Sequence, residues 1–233
     1  MNLRLDWCDH KAAKYACEHW HYTGKIPVNK LLNVGVWENG VFIGVVIFGL
    51  GASAVMHKQF GVSNTEACEL VRVALNSHDT PVSRILSIAL KFLKRQCPGI
   101  KVVVSFADPS QGHHGGIYQA TNWLYTGMSS ETTEYYYRGD WRHVTDVYKR
   151  CPRDQIKRLP SRKRPGKYRY VMPLTDDMRA RIAPLRKPYP KKDTGASVVQ
   201  IAEQPAFQPD KGGSIPTLTH PMIPISETGG TAT

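Results

Sequence analysis

Residues 67–108, ACELVRVALNSHDTPVSRILSIALKFLKRQCPGIKVVVSFAD, consist of two apolar runs on either side of a longer periodic segment. The first run (67–76) and the last (100–108) predict buried strands, since near-continuous apolar runs are typical of strands that are covered on both faces. Between them, apolar side chains recur at helical spacing from Val82 to Leu93. A proline suits the first turn of this helix, and Cys-Pro-Gly marks its end. The stretch therefore predicts a strand, a helix and a second strand of an α/β fold.

The segments before this unit predict a helix and a hairpin. DHKAAKYACEHWHY (9–22) carries alanine, cysteine and tryptophan at helical spacing, and TGKIP ends the helix. In LLNVGVWENGVFIGVVIFGL (31–50), Asn39 and Gly40 separate two apolar runs. Because both residues tolerate positive φ, this pattern predicts an antiparallel pair of strands joined by a tight turn.

The segments after the unit predict a helix and a further strand. GGIYQATNWLYTGM (115–128) predicts a short helix, with Tyr118 in its first turn and Asn122 one turn later on the same side. TEYYYRGDWRH (133–143) predicts a strand with a turn at Gly-Asp. We therefore expect one α/β domain over residues 1–148.

The positive charge of the chain is concentrated in one segment. The formal net charge is +12, yet residues 149–192 alone contain sixteen Lys or Arg against three acids, a net charge of +13. Such a run, interleaved with tyrosine and proline, predicts a basic C-terminal extension that contacts nucleic-acid phosphates; the alternative is a solvated tail. The predicted contact residues are Arg162, Lys163, Arg164, Lys167 and Arg169. Residues 193–233 predict an extended tail without a core of its own.

Composition also excludes several classes of protein. No apolar run approaches the roughly 20 residues of a membrane span. The first ten residues, MNLRLDWCDH, lack the apolar core of a signal peptide. The five cysteines lie far apart without a C-x-x-C pair, which disfavours both disulfides and a cysteine zinc site. We expect a protein of the cytoplasm.

Three segments carry polar residues that could form a site. The loop at 72–84 leads from a strand into a helix whose first turn holds Ser83 and Arg84, and helix starts favour phosphate. It matches neither the Walker A motif nor G-x-G-x-x-G, and the alternative is an ordinary turn and cap. His21 and Tyr22 lie near a helix end, where a histidine is usually a cap or a packing residue.

The third segment is DPSQGHHGGIYQATNW (108–123). Asp108 stands at a strand end, where the active sites of open α/β sheets gather, and Tyr118 follows a glycine-rich turn. The tyrosine could act as a general acid or an anionic ligand. In the alternative, Asp108 caps the turn and Tyr118 packs in the core.

Together these stretches resemble the bacteriophage Mom family of DNA-modification proteins. The resemblance rests on HWHYTGKIP (19–27), on the unit LVRVAL…PVSRILSIALKFLK, and above all on SFADPSQGHHGGIYQATNWLYTG (105–127) followed by YYYRGDWRH. More widely, the same stretches resemble the GNAT acyltransferase fold, and this resemblance implies a central mixed β-sheet flanked by helices. The usual glycine-containing phosphate loop of that fold is replaced here by NSHDTPVSR (76–84).

The family resemblance implies carbamoylmethylation of adenine N6 in double-stranded DNA, which protects phage DNA from restriction in the host cytoplasm. It further implies an acetyl-coenzyme A or other acyl donor, and iron. The implied catalytic residues are His21, Tyr22, Ser83, Asp108 and Tyr118, the donor-binding residues are Arg72, Val73, Ser83, Arg84 and Asn122, and the iron ligands are His21, Asp108 and Tyr118.

Two alternatives stay open at the level of sequence. The first is a coenzyme A-dependent acyltransferase acting on a protein or a small amine, which leaves the +13 segment unexplained. The second is a non-catalytic DNA-binding protein on an acyltransferase-like fold.

Overall fold

The computed structural model describes residues 2–28, 30–50 and 55–191. The predicted tail at 193–233 lies outside these ranges. Among the helices of the described residues, none is both long and apolar enough to cross a bilayer.

The described residues form strands and helices in the following order. The strands are β1 (Leu3–Trp7), β2 (Leu31–Glu38), β3 (Val41–Gly49), β4 (Ala67–Leu75), β5 (Val102–Ala107), β6 (Leu124–Met128), β7 (Thr132–Tyr137), β8 (Asp140–His143), β9 (Ser161–Arg164) and β10 (Tyr168–Pro173). The α-helices are α1 (His10–Trp20), α2 (Val82–Gln96), α3 (Gly116–Gln119), α4 (Val144–Arg150), α5 (Arg153–Ile156) and α6 (Asp176–Ile182). Single 3-10 turns lie at Met56–Phe60, Pro109–Gln111 and Ala183–Leu185.

The strands form a large mixed sheet and a small antiparallel one. The large sheet has the order β1-β2-β3-β4-β5-β10-β6, in which β4 and β5 are parallel and the other neighbours antiparallel. The small sheet has the order β8-β7-β9. The predicted α/β architecture, a central mixed sheet flanked by helices, is confirmed.

Helices cover both faces of the large sheet. On β3, Val46 and Phe48 belong to the cluster that α2 completes, while Val45 and Ile47 belong to the one that α1 completes. Because side chains alternate along a strand, the two helices lie on opposite faces. α6 packs against Val102 and Val104 of β5, on the face opposite α2. Burial on both sides explains why these strands are apolar throughout.

Local sequence accounts for the predicted N-terminal elements. Asp9 caps α1, its carboxylate accepting the N–H of Ala12 at 2.7 Å. Asn39 and Gly40 join β2 to β3 with φ of 51° and 84°, as the hairpin prediction requires.

The prediction of a helix over residues 115–128 is wrong beyond the first helical turn. The helix ends at Gln119, Asn122 adopts a left-handed φ of 60°, and the chain continues as β6. Trp123 is fully buried, and β6 pairs with β10, so Tyr125 lies opposite Tyr170. Tertiary pairing therefore outweighs the helical pattern in this stretch.

The basic segment is part of the fold rather than an extension of it. β10 lies between β5 and β6 in the large sheet, and β9 pairs with β7 in the small one. Residues 149–191 thus belong to the compact unit that spans Met1–Lys192. The boundary predicted at residue 148 is replaced by this single unit, because the apolar run of β10 fills the sheet.

Candidate active site

A pocket opens where the parallel strands β4 and β5 separate. They pair only over Ala67–Glu69 and Val102–Val104, although both strands continue beyond these residues. The pocket has a volume of about 700 Å³ and is lined by residues of β4, the end of α1, the 108–118 segment and the 129–132 turn. Its position at strand carboxyl ends is the usual place for a ligand in an open α/β sheet.

A β-bulge on β4 turns Arg72 toward the α1 side of the sheet. Ile47 pairs with Arg72 and Phe48 with Leu70, so Val71 is the extra residue. Bulges of this kind often re-aim side chains beside active sites. The Nη1 of Arg72 donates to its neighbour's carbonyl oxygen at 2.8 Å, and its buried Nε has no hydrogen-bond partner among the described residues.

The end of α1 delivers His21 and Tyr22 to the pocket. The centroids of the His21 and Tyr22 rings lie 4.4 Å apart at a tilt of 32°, and the Tyr22 and His113 rings form a T-shaped pair at 5.8 Å. Desolvation, then the nearby positive charge of Arg72 and then His113, lower the pKa of His21 to about 4. The imidazole is therefore neutral at physiological pH. Tyr22 is 65% exposed, so its ring forms part of the pocket mouth.

Tyr118 is buried at the back of the pocket. Its hydroxyl lies 2.8 Å from Ser105 Oγ, which is 2.9 Å from the carbonyl oxygen of Leu70. A serine hydroxyl has a single proton, so Ser105 Oγ donates either to the Tyr118 hydroxyl or to the Leu70 carbonyl oxygen. Burial raises the pKa of Tyr118 to about 12, so the phenol stays protonated. Ser105 has no motif in the sequence that could have identified it.

Two glycines shape the turn between Asp108 and Tyr118. Gly112 and Gly115 have φ of 69° and 85°. A Cβ at Gly115 would lie 2.3 Å from the ring of Tyr170, whose hydroxyl donates to the carbonyl oxygen of His114 at 2.6 Å. This close approach fixes the start of α3 and with it the position of Tyr118.

Asp108 is the centre of a buried ion-pair network. Its Oδ2 accepts from Arg164 Nη2 at 2.7 Å and lies 3.4 Å from Lys167 Nζ. Arg164 Nη1 binds Glu134 at 3.0 Å, so one guanidinium joins the small sheet to the pocket wall. Burial alone would raise the pKa of Asp108, yet the Ser110 hydroxyl, Lys167 and Arg164 together hold it below its ordinary value. The group is therefore a carboxylate, and it also caps the Pro109–Gln111 turn as predicted.

Of the predicted catalytic and donor-binding residues, those that line the pocket are His21, Tyr22, Arg72, Val73, Asp108 and Tyr118. Ser83, Arg84 and Asn122 are not among its lining residues. Asn122 is exposed because α3 ends before it. Ser83 and Arg84 begin α2, beside a loop whose Asp79 and Thr80 N–H groups donate to the buried Glu38 carboxylate at 2.9 Å. Those two donors of the predicted phosphate loop are thus already bonded.

The predicted nucleic-acid residues also have protein partners. Arg162 binds Glu134 at 2.7 Å and stacks on Trp141 at 4.4 Å, while its side chain stays 52% exposed. Arg169 is bonded to Thr126 and Gln59. Lys167, predicted as a DNA contact, lies in the pocket wall.

The side chains that the resemblance assigns to iron do not fit a metal centre. Arg164 and Lys167 already neutralise the Asp108 carboxylate, and the raised pKa of Tyr118 opposes a phenolate ligand. Nδ1 of His21 is bonded to Thr23. In the described ranges, no group of three or more His, Cys, Asp or Glu is placed to hold a metal ion. The chemistry proposed below therefore includes no step through iron.

Comparison with known proteins gives matches in sequence and in structure. The model of the Mom protein family matches residues 2–191. The methylcarbamoylase mom of Escherichia phage Mu is 30% identical over 204 residues, which cover 81% of this chain and 84% of that protein. The aminoglycoside acetyltransferase AAC(6')-Ib in complex with coenzyme A has a TM-score of 0.46 at 11% identity, over 78% of this chain and 98% of that one. Its complex with paromomycin and acetyl-coenzyme A has a TM-score of 0.47 at 12% identity, over 78% of this chain and 97% of that one.

Proposed function

This chain belongs to the Mom protein family, and we propose that it is a transferase that adds a carbamoylmethyl group to adenine N6 in double-stranded DNA. In this proposal it acts in the host cytoplasm and protects phage DNA from restriction. The observation that carries the proposal is the convergence of His21, Tyr22, Arg72, Asp108 and Tyr118 on one pocket in a chain that the family model matches almost throughout.

The pocket has the size and the entrance for a single base. A volume of about 700 Å³ lies within the range of small-molecule sites. The adenine amine is paired within a duplex, so the base must leave the stack to react. The exposed ring of Tyr22 at the mouth offers a stacking surface to a base that enters.

The proposed chemistry is a transfer to a weak nucleophile. The lone pair of the exocyclic amine is delocalised into the purine ring, so the reaction depends on positioning and on stabilising charge that develops on the donor. Arg72 supplies positive charge in the pocket, and the neutral Tyr118 places its hydroxyl at the pocket wall, 2.8 Å from Ser105 Oγ. The proposed donor enters as a substrate and carries the carbamoylmethyl group on a leaving group. The bond from N6 to the methylene carbon forms as the bond from that carbon to the leaving group breaks, and the amine proton passes to water. Acetyl-coenzyme A by itself has no amide nitrogen, so as donor it requires a separate nitrogen source.

One face of the small sheet supports the proposed contact with DNA. Directly opposed cross-strand residues point to the same side, as do alternate residues of one strand. One side of the small sheet, which we call the Arg162 face, therefore carries Thr132 opposite Arg164, Glu134 opposite Arg162, and Tyr136 opposite Trp141. Thr132 also lines the pocket, so the face continues from the pocket rim. Arg162 covers Trp141, and Tyr136 meets Trp141 at 5.5 Å. In this proposal the exposed guanidinium and aromatic groups at the pocket rim bind the phosphate backbone beside the base that has left the stack.

Substitutions at two neighbouring residues test this face. Arg162→Gln weakens binding to all DNA sequences and lowers the slope of log K against log salt by about 0.9, the value for one phosphate contact. Lys163→Gln is the matched control, because Lys163 lies on the opposite face beside Thr133. It leaves the slope unchanged. Fluorescence anisotropy across a salt series measures both, and equal slopes for the two variants would contradict a contact confined to the Arg162 face.

Restriction digestion tests the proposed biological effect. Plasmid from cells that express the protein resists endonucleases whose sites contain adenine, while plasmid from cells without it is cut. Complete digestion in both cases, with soluble protein present, would contradict the proposal.

A further inference from the structure

The hydrogen bonds of His21 determine which ring nitrogen carries the proton. The backbone N–H of Thr23 points to His21 Nδ1 at 3.2 Å, and Thr23 Oγ1 lies 2.8 Å from the same atom. A backbone N–H can only donate, so Nδ1 accepts and bears no proton. In the neutral imidazole, the proton must therefore reside on Nε2. His21 presents an N–H donor through its other nitrogen, rather than a base.

The surroundings of the ring keep it in this form. The Tyr22 ring lies beside it at a tilt of 32°, and Arg72 and His113 place positive charge near it. The other titratable groups that line the pocket are Glu69, Asp108, Tyr118 and Lys167. A second proton on Nδ1 would collide with the Thr23 N–H and would add charge beside the Arg72 guanidinium. Both effects are independent of how deeply the ring is buried.

Arg72 offers a second donor in the same pocket. Its Nε–H is buried without a hydrogen-bond partner among the described residues, although its Nη1 is bonded to the Val71 carbonyl. A buried donor without a partner is costly, unless a ligand supplies the acceptor. The Asp108 carboxylate, which also lines the pocket, is bound instead to Ser110, Arg164 and Lys167.

We infer that His21 Nε2–H and Arg72 Nε–H form a donor pair that receives the carbonyl oxygen of the group being transferred. The inference rests on the proposed function for the identity of that group, but not for the existence of the oxygen site. Two donors at that oxygen hold the carboxamide of the transferred group in place, so that its methylene carbon faces the attacking amine. A neutral imidazole can act as such a donor without loss of its proton.

Nitrogen NMR of the full chain tests the tautomer. In a ¹⁵N–¹H correlation spectrum of the imidazole side chains at pH 7, assigned with the His21→Gln variant, the His21 signals show the Nε2–H tautomer. A proton on Nδ1, or an imidazolium at this pH, would overturn the inference. The result does not depend on any enzymatic activity, so it is separate from the test of the proposed function.

Acetamide, a small carboxamide, is the probe for the oxygen site. Titration with acetamide shifts the His21 Nε2–H and Arg72 Nε–H signals of the wild-type chain together. In His21→Phe, which keeps a planar ring and removes the donor, the Arg72 signal responds at least about tenfold more weakly, equivalent to the loss of one hydrogen bond. Unchanged signals in the wild type, or an undiminished response in His21→Phe, would overturn the inference. A thermal melt of His21→Phe confirms that the variant is folded.

Discussion

Asp108→Asn lowers the rate of DNA modification by about 10²-fold, the loss expected when groups of an active site are misplaced by about 1 Å. The substitution keeps the shape of the side chain and its bond to Ser110, but removes the charge that holds Arg164 and Lys167. Lys167 then loses its carboxylate partner in the pocket wall, and of its two carboxylate partners Arg164 keeps only Glu134. Quantification of modified deoxyadenosine in plasmid DNA measures the loss.

Stability separates this effect from simple unfolding. Asp108→Asn lowers the free energy of unfolding by about 1–3 kcal/mol, because the partly buried guanidinium of Arg164 loses one of its two carboxylate partners. Since the folded-state pKa of Asp108 lies below its ordinary value of 3.8, the carboxylate stabilises the fold above that pH. The stabilisation is lost as the pH falls through the lowered folded-state pKa, so the wild type and the variant converge in acid. Asp154→Asn, at an exposed acid, is the control. Full modification activity in Asp108→Asn would contradict the role given to the network.

Gly115→Ala destabilises the protein by about 3 kcal/mol, from a left-handed backbone and a steric clash combined. The new Cβ would lie 2.3 Å from a ring carbon of Tyr170 and 2.6 Å from its hydroxyl oxygen, and the backbone φ is 85°. Either the turn or the Tyr170 ring must move. Since α3 follows directly, Tyr118 moves with it, and modification activity falls as well.

Gly112→Ala is the matched control for this prediction. Gly112 lies in the same turn with a φ of 69°, but nothing lies within 4 Å of the position that a Cβ would occupy. Gly112→Ala therefore lowers the free energy of unfolding only through the strain of a left-handed backbone at alanine, by about 1 kcal/mol. Chemical denaturation compares the two variants. Equal destabilisation would show that the contact between Gly115 and Tyr170 does not constrain the site.

The sequence predicted the helices and strands whose bounds are set by residues close to them in the chain. The Asn39-Gly40 turn needs positive φ at two residues, and α2 carries a complete apolar face between a proline and a Cys-Pro-Gly stop. The apolar runs around it became β4 and β5, and the gap between their ends became the pocket. Strand ends in an α/β sheet are a reliable guide to the place of a site.

Long-range pairing explains what the sequence did not predict. The 149–192 segment reads as a charged extension, yet Tyr170 and Val171 within it are fully buried in a central strand. Arg164 is 56 residues from Asp108 in sequence and 2.7 Å from it in space. No local pattern marks such a partner. For the same reason the sequence did not indicate the hydrogen bond between Ser105 and Tyr118, since Ser105 lies within an apolar run and belongs to no recognisable motif.

Mass spectrometry of nucleosides tests the central claim most directly. Plasmid DNA from cells that express the wild-type chain is digested to nucleosides and compared with DNA from cells that express Asp108→Asn at the same level. The account predicts deoxyadenosine that carries a carbamoylmethyl group on N6 in the first sample, reduced by about 10²-fold in the second. Only unmodified deoxyadenosine in the first sample, with the protein folded and soluble, would contradict it.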